Sequence, residues 1–170
     1  MNGKWLLTLL PTLGFLLWTA KSFTQEGSLQ ITSPAFGHNQ TIPREYTCQG
    51  ADVNPILEIR GIPPGAKSLA LIMDDPDAPM GTWDHWLVYN IPPAEKIERN
   101  SIPGAQVKNS FGKLNYGGPC PPSGTHRYFF KLYALDTTLT LPPASKKALE
   151  KAMEGHILDE AQLTGLYKKQ

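Results

Sequence analysis

The stretch SLALIMDDPDAPMGTWDHWLVYNI, residues 68–91, decides how this chain folds. It contains two mostly apolar runs, residues 68–74 and 83–91, separated by a segment rich in aspartate, proline and glycine. Apolar runs of this length, bounded by such turn-forming residues, are typical of β-strands. The segment therefore predicts two short, largely buried strands that border a polar turn.

Similar short runs recur along the rest of the chain. Sixteen prolines and fifteen glycines are spread between them, which indicates turns rather than a disordered tract. Many short strands separated by regular turns favour a sandwich or a barrel. The further predicted strands are residues 29–32, 56–60, 126–134 and 162–167.

Helical periodicity is clear only near the C-terminus, over residues 145–154, where Ser145 is a candidate N-cap. The stretch 92–124, by contrast, has almost no periodicity and is rich in proline and glycine. Because long structureless segments in compact domains are usually functional, we expect these loops to build a binding site.

Length and charge limit the classes of function. A chain of 170 residues suits one domain with a proper core. The 16 basic and 15 acidic residues nearly cancel, to a net charge of +1. No polybasic surface for nucleic acid is therefore predicted, and any anion recognition must come from a few converging groups.

The first 22 residues are predicted to be a signal peptide, followed by a domain over residues 23–170. Lys4 precedes an apolar run over residues 5–18, which is shorter than the roughly 20 residues of a membrane span. Cleavage is expected after Ser22; the alternative is an uncleaved N-terminal anchor. The prediction is a periplasmic or secreted protein with no stable membrane span once the signal is removed.

Export bears on the two cysteines, Cys48 and Cys120. An even number of cysteines in an oxidising compartment favours a disulfide. The alternative is a pair of buried free thiols. A zinc site is disfavoured, because no second cysteine or histidine stands at metal-ligand spacing beside either residue.

Asp75 is the first candidate for a binding residue. Strand alternation places it on one face with Leu69, Leu71 and Met73, at the mouth of a buried surface. A carboxylate there needs partners. The alternative is that the aspartates of this segment only cap a turn, since Asp-Pro pairs are common turn formers.

Two histidines and a tyrosine are the other candidates. Alternation predicts that His85 shares a face with Leu87 and Tyr89, and that His126 and Tyr128 share a face at the start of a later strand. Imidazole and phenol groups can donate hydrogen bonds to phosphate oxygens. The alternatives are a core histidine at position 85 and a rigid connection with a buried aromatic at position 128.

The motifs together resemble, in order and spacing, the signature of the phosphatidylethanolamine-binding proteins, also called Raf-kinase-inhibitor-like proteins. The resemblance is strongest to the bacterial and archaeal branch and covers nearly all of the chain after residue 25. The matching motifs are Asp75-Pro76-Asp77-Ala78-Pro79, His85 within residues 83–90, Asn109-Ser110-Phe111-Gly112, residues 116–122, and His126-Arg127-Tyr128.

This resemblance implies an all-β-dominated fold, an antiparallel β-sandwich of two sheets, with one or two short helices near the C-terminus. It also implies a small surface pocket for phosphate, phosphorylethanolamine or a carboxylate, with no cofactor and no metal. The anion belongs to a small ligand or to a phosphorylated or carboxylate group of a protein partner. The residues implied for the pocket are Asp75, His85, His126, Tyr128, Gly118, Pro119 and Pro121.

The leading hypothesis for function is a binding or regulatory protein, with inhibition of a partner protein as the role that the family name implies. No activated nucleophile is apparent, because Ser123 precedes His126 by only three residues. The alternative is a hydrolase or a metal-dependent enzyme that uses Asp75, His85 and His126.

Overall fold

A computed structural model of the chain describes residues 28–140 and 145–170. The signal peptide predicted over residues 1–22 lies outside this part. In the described part no helix is long and apolar enough to cross a membrane. Its elements, in chain order, are β1 (Gln30–Thr32), β2 (Gln40–Thr41), a 3-10 turn (Arg44–Tyr46), β3 (Leu57–Arg60), β4 (Ser68–Asp75), β5 (Trp83–Ile91), β6 (Lys96–Ile97), β7 (Ala105–Val107), β8 (Thr125–Leu135), α1 (Lys146–Met153) and β9 (Ile157–Lys168).

The strands form two sheets. The smaller has the order β1-β3-β6 and the larger has the order β2-β9-β8-β4-β5-β7. Neighbouring strands are antiparallel except for β2 and β9, which are parallel with Gln40 opposite Gly165. The expectation of purely antiparallel sheets is therefore wrong for this edge, where the chain reaches β9 through a long connection rather than a hairpin.

The core explains why the central strands are so apolar. All eight residues of β4 are buried, because both of its faces are covered. One face contributes to a cluster that includes side chains of both sheets, among them Ile31, Ile59, Leu71 and Phe130. The opposite face packs with α1 in a second cluster of Ala70, Ile72, Leu87, Tyr89, Val107, Leu135, Leu149 and Met153.

The sequence predicted the helix closely, but it missed two short strands in the long loop region and the start of the last strand. The helix α1 begins one residue after Ser145, whose hydroxyl caps it by accepting the N–H of Ala148 at 3.2 Å. The region 92–124 is mostly loop, but it also contains the short strands β6 and β7. The last strand, β9, begins five residues earlier than expected.

Cys48 and Cys120 form a disulfide, with Cα atoms 5.4 Å apart. The bridge joins the segment after the 3-10 turn to the loop that precedes β8. The backbone N–H of Cys48 also donates to the carbonyl of Pro119 at 3.2 Å. The two segments are therefore fastened by a covalent bond and a hydrogen bond.

Candidate functional site

A carboxylate and an imidazole meet where β4 ends and β8 begins. Oδ2 of Asp75 lies 2.7 Å from Nδ1 of His126, and both residues are buried. The other oxygen, Oδ1, accepts the backbone N–H of Asp77 at 2.8 Å. Asp75 therefore uses both oxygens within the protein and holds the ring of His126 in one orientation. Nε2 of His126 has no partner among the described residues.

The turn after β4 is fastened to β8 by a second pair, Asp77 and Arg127. The carboxylate of Asp77 accepts three hydrogen bonds from Arg127, at 2.9 Å from the backbone N–H, 2.9 Å from Nε and 2.6 Å from Nη2. The side-chain hydrogen bond from Arg127 lowers the pKa of Asp77 to about 2. The guanidinium of Arg127 is thus committed to this turn.

Replacement of Arg127 should remove a part of the folding stability that the wild type itself loses at low pH. Because the pKa of Asp77 falls from its ordinary 3.8 to about 2 on folding, its ionisation stabilises the protein above about pH 4 and ceases to as pH falls through about 2. We expect the melting temperature of Arg127→Met to be below that of the wild type near pH 6 and to approach it near pH 2. Circular dichroism melts across this pH range make the measurement. Lys151→Met, which removes an exposed charge from α1, is the control; matching curves for the two variants would contradict the assignment.

An irregularity in the pairing of β4 with β5 sets the direction of the His85 side chain. Met73 lies opposite Trp86 but Asp74 lies opposite Asp84, so His85 is the extra residue of a β-bulge. The prediction that His85 shares a face with Leu87 and Tyr89 is therefore wrong. Those two side chains pack on the α1 side, whereas the ring of His85 stacks edge-on against Tyr128 and Phe111, with centroids 5.2 and 5.5 Å away.

The protonation of His85 and Tyr128 follows from their surroundings. Nδ1 of His85 lies 2.6 Å from the carbonyl of Gly117. Burial lowers the pKa of His85, although this bond and the charge of Asp75 oppose the shift. Burial, and then the charge of Asp75, raise the pKa of Tyr128, whose hydroxyl has no hydrogen-bond partner among the described residues. At neutral pH both side chains are uncharged.

A cavity of about 200 Å³ opens beside these groups. It contains one charged side chain, Asp75, and otherwise presents mainly aromatic rings and prolines. Its lining residues are Asp75, Ala78, Pro79, Trp83, His85, Phe111, Cys120, Pro121 and Pro122.

The sequence model of the family described as phosphatidylethanolamine-binding protein matches residues 32–168. The chain belongs to this family. The predicted resemblance is confirmed, including its bacterial and archaeal branch.

Curated relatives of this phosphatidylethanolamine-binding family member include UPF0098 proteins of Pyrococcus horikoshii and Aquifex aeolicus. The Pyrococcus protein is 50% identical over 154 residues, which cover 84% of this chain and 77% of the relative. The Aquifex protein is 44% identical over 169 residues, which cover 92% of this chain and 99% of the relative.

Two solved structures are similar to this chain. A putative phosphatidylethanolamine-binding protein homologue of Chlamydia trachomatis has a TM-score of 0.81 and 41% identity, over 84% of this chain and 99% of that one. Escherichia coli YbcL, described as a new member of the mammalian family, has a TM-score of 0.77 and 28% identity, over 85% and 100%.

Within this family member, the predicted site residues occupy different positions around the cavity. Asp75, His85 and Pro121 line it, whereas His126 and Tyr128 do not and instead contact Asp75 and His85. The remaining two predicted residues are buried parts of the loop.

Gly118 and Pro119 hold this loop against the disulfide segment. The N–H of Gly118 donates to Oδ1 of Asp52 at 2.6 Å. A Cβ at position 118 would come within 2.5 Å of the carbonyl oxygen of Tyr46 and 2.8 Å of Cα of Thr47, so glycine is required by close packing. These positions support the wall of the cavity rather than its surface.

Trp83, Phe111 and Asn109 are site residues that the sequence analysis did not select. The first two line the cavity. The side chain of Asn109 accepts the N–H groups of Phe111 and Lys113 and donates to the carbonyls of His85 and Asn115. The signal was present, because Asn109 and Phe111 belong to one of the matching motifs.

The structure also bears on the metal-enzyme alternative. Within residues 28–140 and 145–170, no group of three His, Cys, Asp or Glu side chains is placed to hold a metal ion. Asp75, His85 and His126 therefore do not form such a group, and both oxygens of Asp75 already bond to other protein atoms.

Proposed function

We propose that this protein is an exported binding protein that holds a small anionic group in the cavity beside Asp75. The group is a phosphate, a phosphorylethanolamine or a carboxylate, on a free ligand or on a partner protein that the bound domain inhibits. The observation that carries the proposal is the buried pair of Asp75 and His126, with 2.7 Å between oxygen and nitrogen. The Cys48–Cys120 disulfide supports export, and a core with side chains of both sheets supports the predicted sandwich.

His126 is the candidate donor to an anion beside Asp75. No lysine or arginine lines the cavity, and the nearby Arg127 is paired with Asp77. Asp75 holds Nδ1 of His126 and leaves Nε2 as the ring nitrogen open to a ligand. When the ring carries both hydrogens, Nε2–H is a charge-assisted donor.

The loop wall provides few other donors. Pro119, Pro121 and Pro122 have no backbone N–H, so the wall cannot form a nest of amides around an anion. It supplies an apolar surface together with Trp83 and Phe111. Met80, at the tip of the adjacent turn, is 96% exposed. This rim suits a ligand whose anionic end is attached to an apolar body.

Removal of the His126 imidazole tests the proposal. We expect phosphorylethanolamine to bind His126→Ala about tenfold to a hundredfold more weakly than the wild type, because a charge-assisted hydrogen bond is lost. Isothermal titration calorimetry near pH 6 makes the measurement, with thermal melts to verify that both proteins are folded.

His156→Ala is a matched control. Nδ1 of His156 also bonds to a carboxylate, Oδ1 of Asp136 at 2.8 Å, but this pair is exposed. Asp136 does not line the cavity, whereas Asp75, the partner of His126, does. We expect this variant to bind as the wild type does. Equal affinity of His126→Ala and wild type, or equal losses in the two variants, would refute the role of His126.

A further inference from the structure

The hydrogen bonds around His85 determine what the imidazole offers to the cavity. A carbonyl oxygen only accepts, so Nδ1 of His85 must donate its hydrogen to the oxygen of Gly117, 2.6 Å away. A backbone hydrogen bond also joins these two residues, because the N–H of Gly117 donates to the carbonyl of His85 at 3.1 Å. In a neutral ring, Nε2 then carries a lone pair and no hydrogen.

The surroundings of the ring keep it neutral. Phe111 and the uncharged phenol of Tyr128 pack edge-on against it. The carboxylates that act on it are Asp75, Asp52 and Asp74, and each favours the imidazolium. Burial outweighs them and lowers the pKa of His85. No described residue bonds to Nε2, and His85 lines the cavity. The ring therefore presents a hydrogen-bond acceptor to a ligand.

An acceptor discriminates between oxyanions that are otherwise alike. An oxygen without hydrogen would place its lone pair against that of Nε2, while an oxygen with hydrogen would donate to it. A phosphate monoester retains one proton below its second pKa of about 6, whereas sulfate and phosphate diesters carry none at neutral pH. When the ring of His126 carries both hydrogens, its Nε2–H is the donor for the other oxygens, and the two histidines then have complementary roles.

We propose that His85 is a specificity-determining residue that makes the cavity select oxyanions carrying their own proton, with phosphate monoesters as the ligand class. The inference rests on the proposed function, because it assigns the second histidine of the same anion site. It predicts discrimination against both sulfate and the diester group of an intact phospholipid.

Calorimetry on the wild-type protein at pH 6 tests this selectivity with methyl phosphate, dimethyl phosphate and sulfate. We expect methyl phosphate to bind about tenfold to a hundredfold more tightly than either of the others, because only it satisfies the acceptor. Sulfate is a dianion and dimethyl phosphate a monoanion, so net charge cannot explain a loss of affinity for both.

The outcomes separate this inference from the proposed function. Similar affinities for the three probes would overturn the selectivity while leaving an anion site in place. Binding of none of them would overturn both proposals. Tighter binding of dimethyl phosphate would indicate an intact phospholipid headgroup and would also overturn the selectivity.

Two further measurements test His85 itself. Long-range ¹H–¹⁵N spectra of the wild-type protein at pH 6, the pH of the calorimetry, should show its Nδ1–H tautomer; an Nε2–H tautomer or an imidazolium would overturn the proposal. His85→Phe keeps an aromatic ring beside Tyr128 and Phe111. In this variant methyl phosphate should bind no more tightly than sulfate, and retention of the wild-type preference would overturn the assignment.

Discussion

Replacement of both Cys48 and Cys120 by serine is expected to lower the free energy of unfolding by about 4 kcal/mol. The two residues are 72 positions apart, so the bridge closes a long loop and restricts the unfolded chain. Urea unfolding of the oxidised wild type and the double variant measures the difference. The wild type under reducing conditions should match the variant, and reductant should leave the variant unchanged.

The same double variant should also bind phosphorylethanolamine more weakly. Cys120 lines the cavity, and its neighbour Pro119 accepts a hydrogen bond from Cys48. Without the bridge the wall is held by noncovalent contacts alone, among them this hydrogen bond and the one from Gly118 to Asp52. Equal stability of the oxidised wild type and the variant would show that the bridge does not form in solution or does not constrain the fold.

Lys146→Met is expected to destabilise the fold by about 3 kcal/mol, because it removes one partner from a buried ionic network. Asp74 is fully buried, and its Oδ2 accepts from Nζ of Lys131 at 2.8 Å and from Nζ of Lys146 at 2.6 Å. Lys146 also lies 3.0 Å from Oδ1 of Asp84. The network attaches the first turn of α1 to the ends of β4 and β5.

The pKa of Lys146 reflects this network. Burial lowers it, but hydrogen bonds to Asp74 and Asp84 outweigh burial and raise it. The stabilisation that depends on its charge is therefore complete below its ordinary pKa of 10.5, and it is lost as pH rises through the higher folded value. Urea unfolding at neutral pH measures the main effect.

Lys147→Met is the matched control, since Lys147 is adjacent on α1 but exposed. We expect this variant to unfold within about 0.5 kcal/mol of the wild type. The double variant Asp74→Leu/Lys146→Met should recover part of the stability, because it removes the buried charge together with its partner. A Lys146→Met protein as stable as Lys147→Met would contradict the role of the network.

The central strands were predictable from the sequence because their signal is local. The runs 68–74 and 83–91 became β4 and β5 with nearly the same bounds. The short strands β2, β6 and β7 could not be predicted in this way. Each has two or three residues, too few for a pattern, and each is defined by pairing with a longer strand elsewhere in the chain.

The candidate site also has one feature that the sequence predicted and one that it could not predict. The face of β4 that carries Asp75 followed from alternation alone, because successive side chains of a strand point to opposite faces. Its neighbour Asp74 accordingly faces α1. The approach of Asp75 to His126 instead depends on the register of β4 against β8, which no single segment contains.

By itself, the sequence determined the strand-rich architecture and the family, and it predicted three of the residues that line the cavity, Asp75, His85 and Pro121. The strands follow from local patterns of apolar and turn-forming residues, and the family follows from the order and spacing of the motifs. Only the tertiary structure decided that His85 faces the cavity and that its Nε2 is an acceptor. The reason is physical: a bulge exists only where two strands pair with unequal residue counts, and the tautomer depends on the carbonyl of Gly117, 32 residues away.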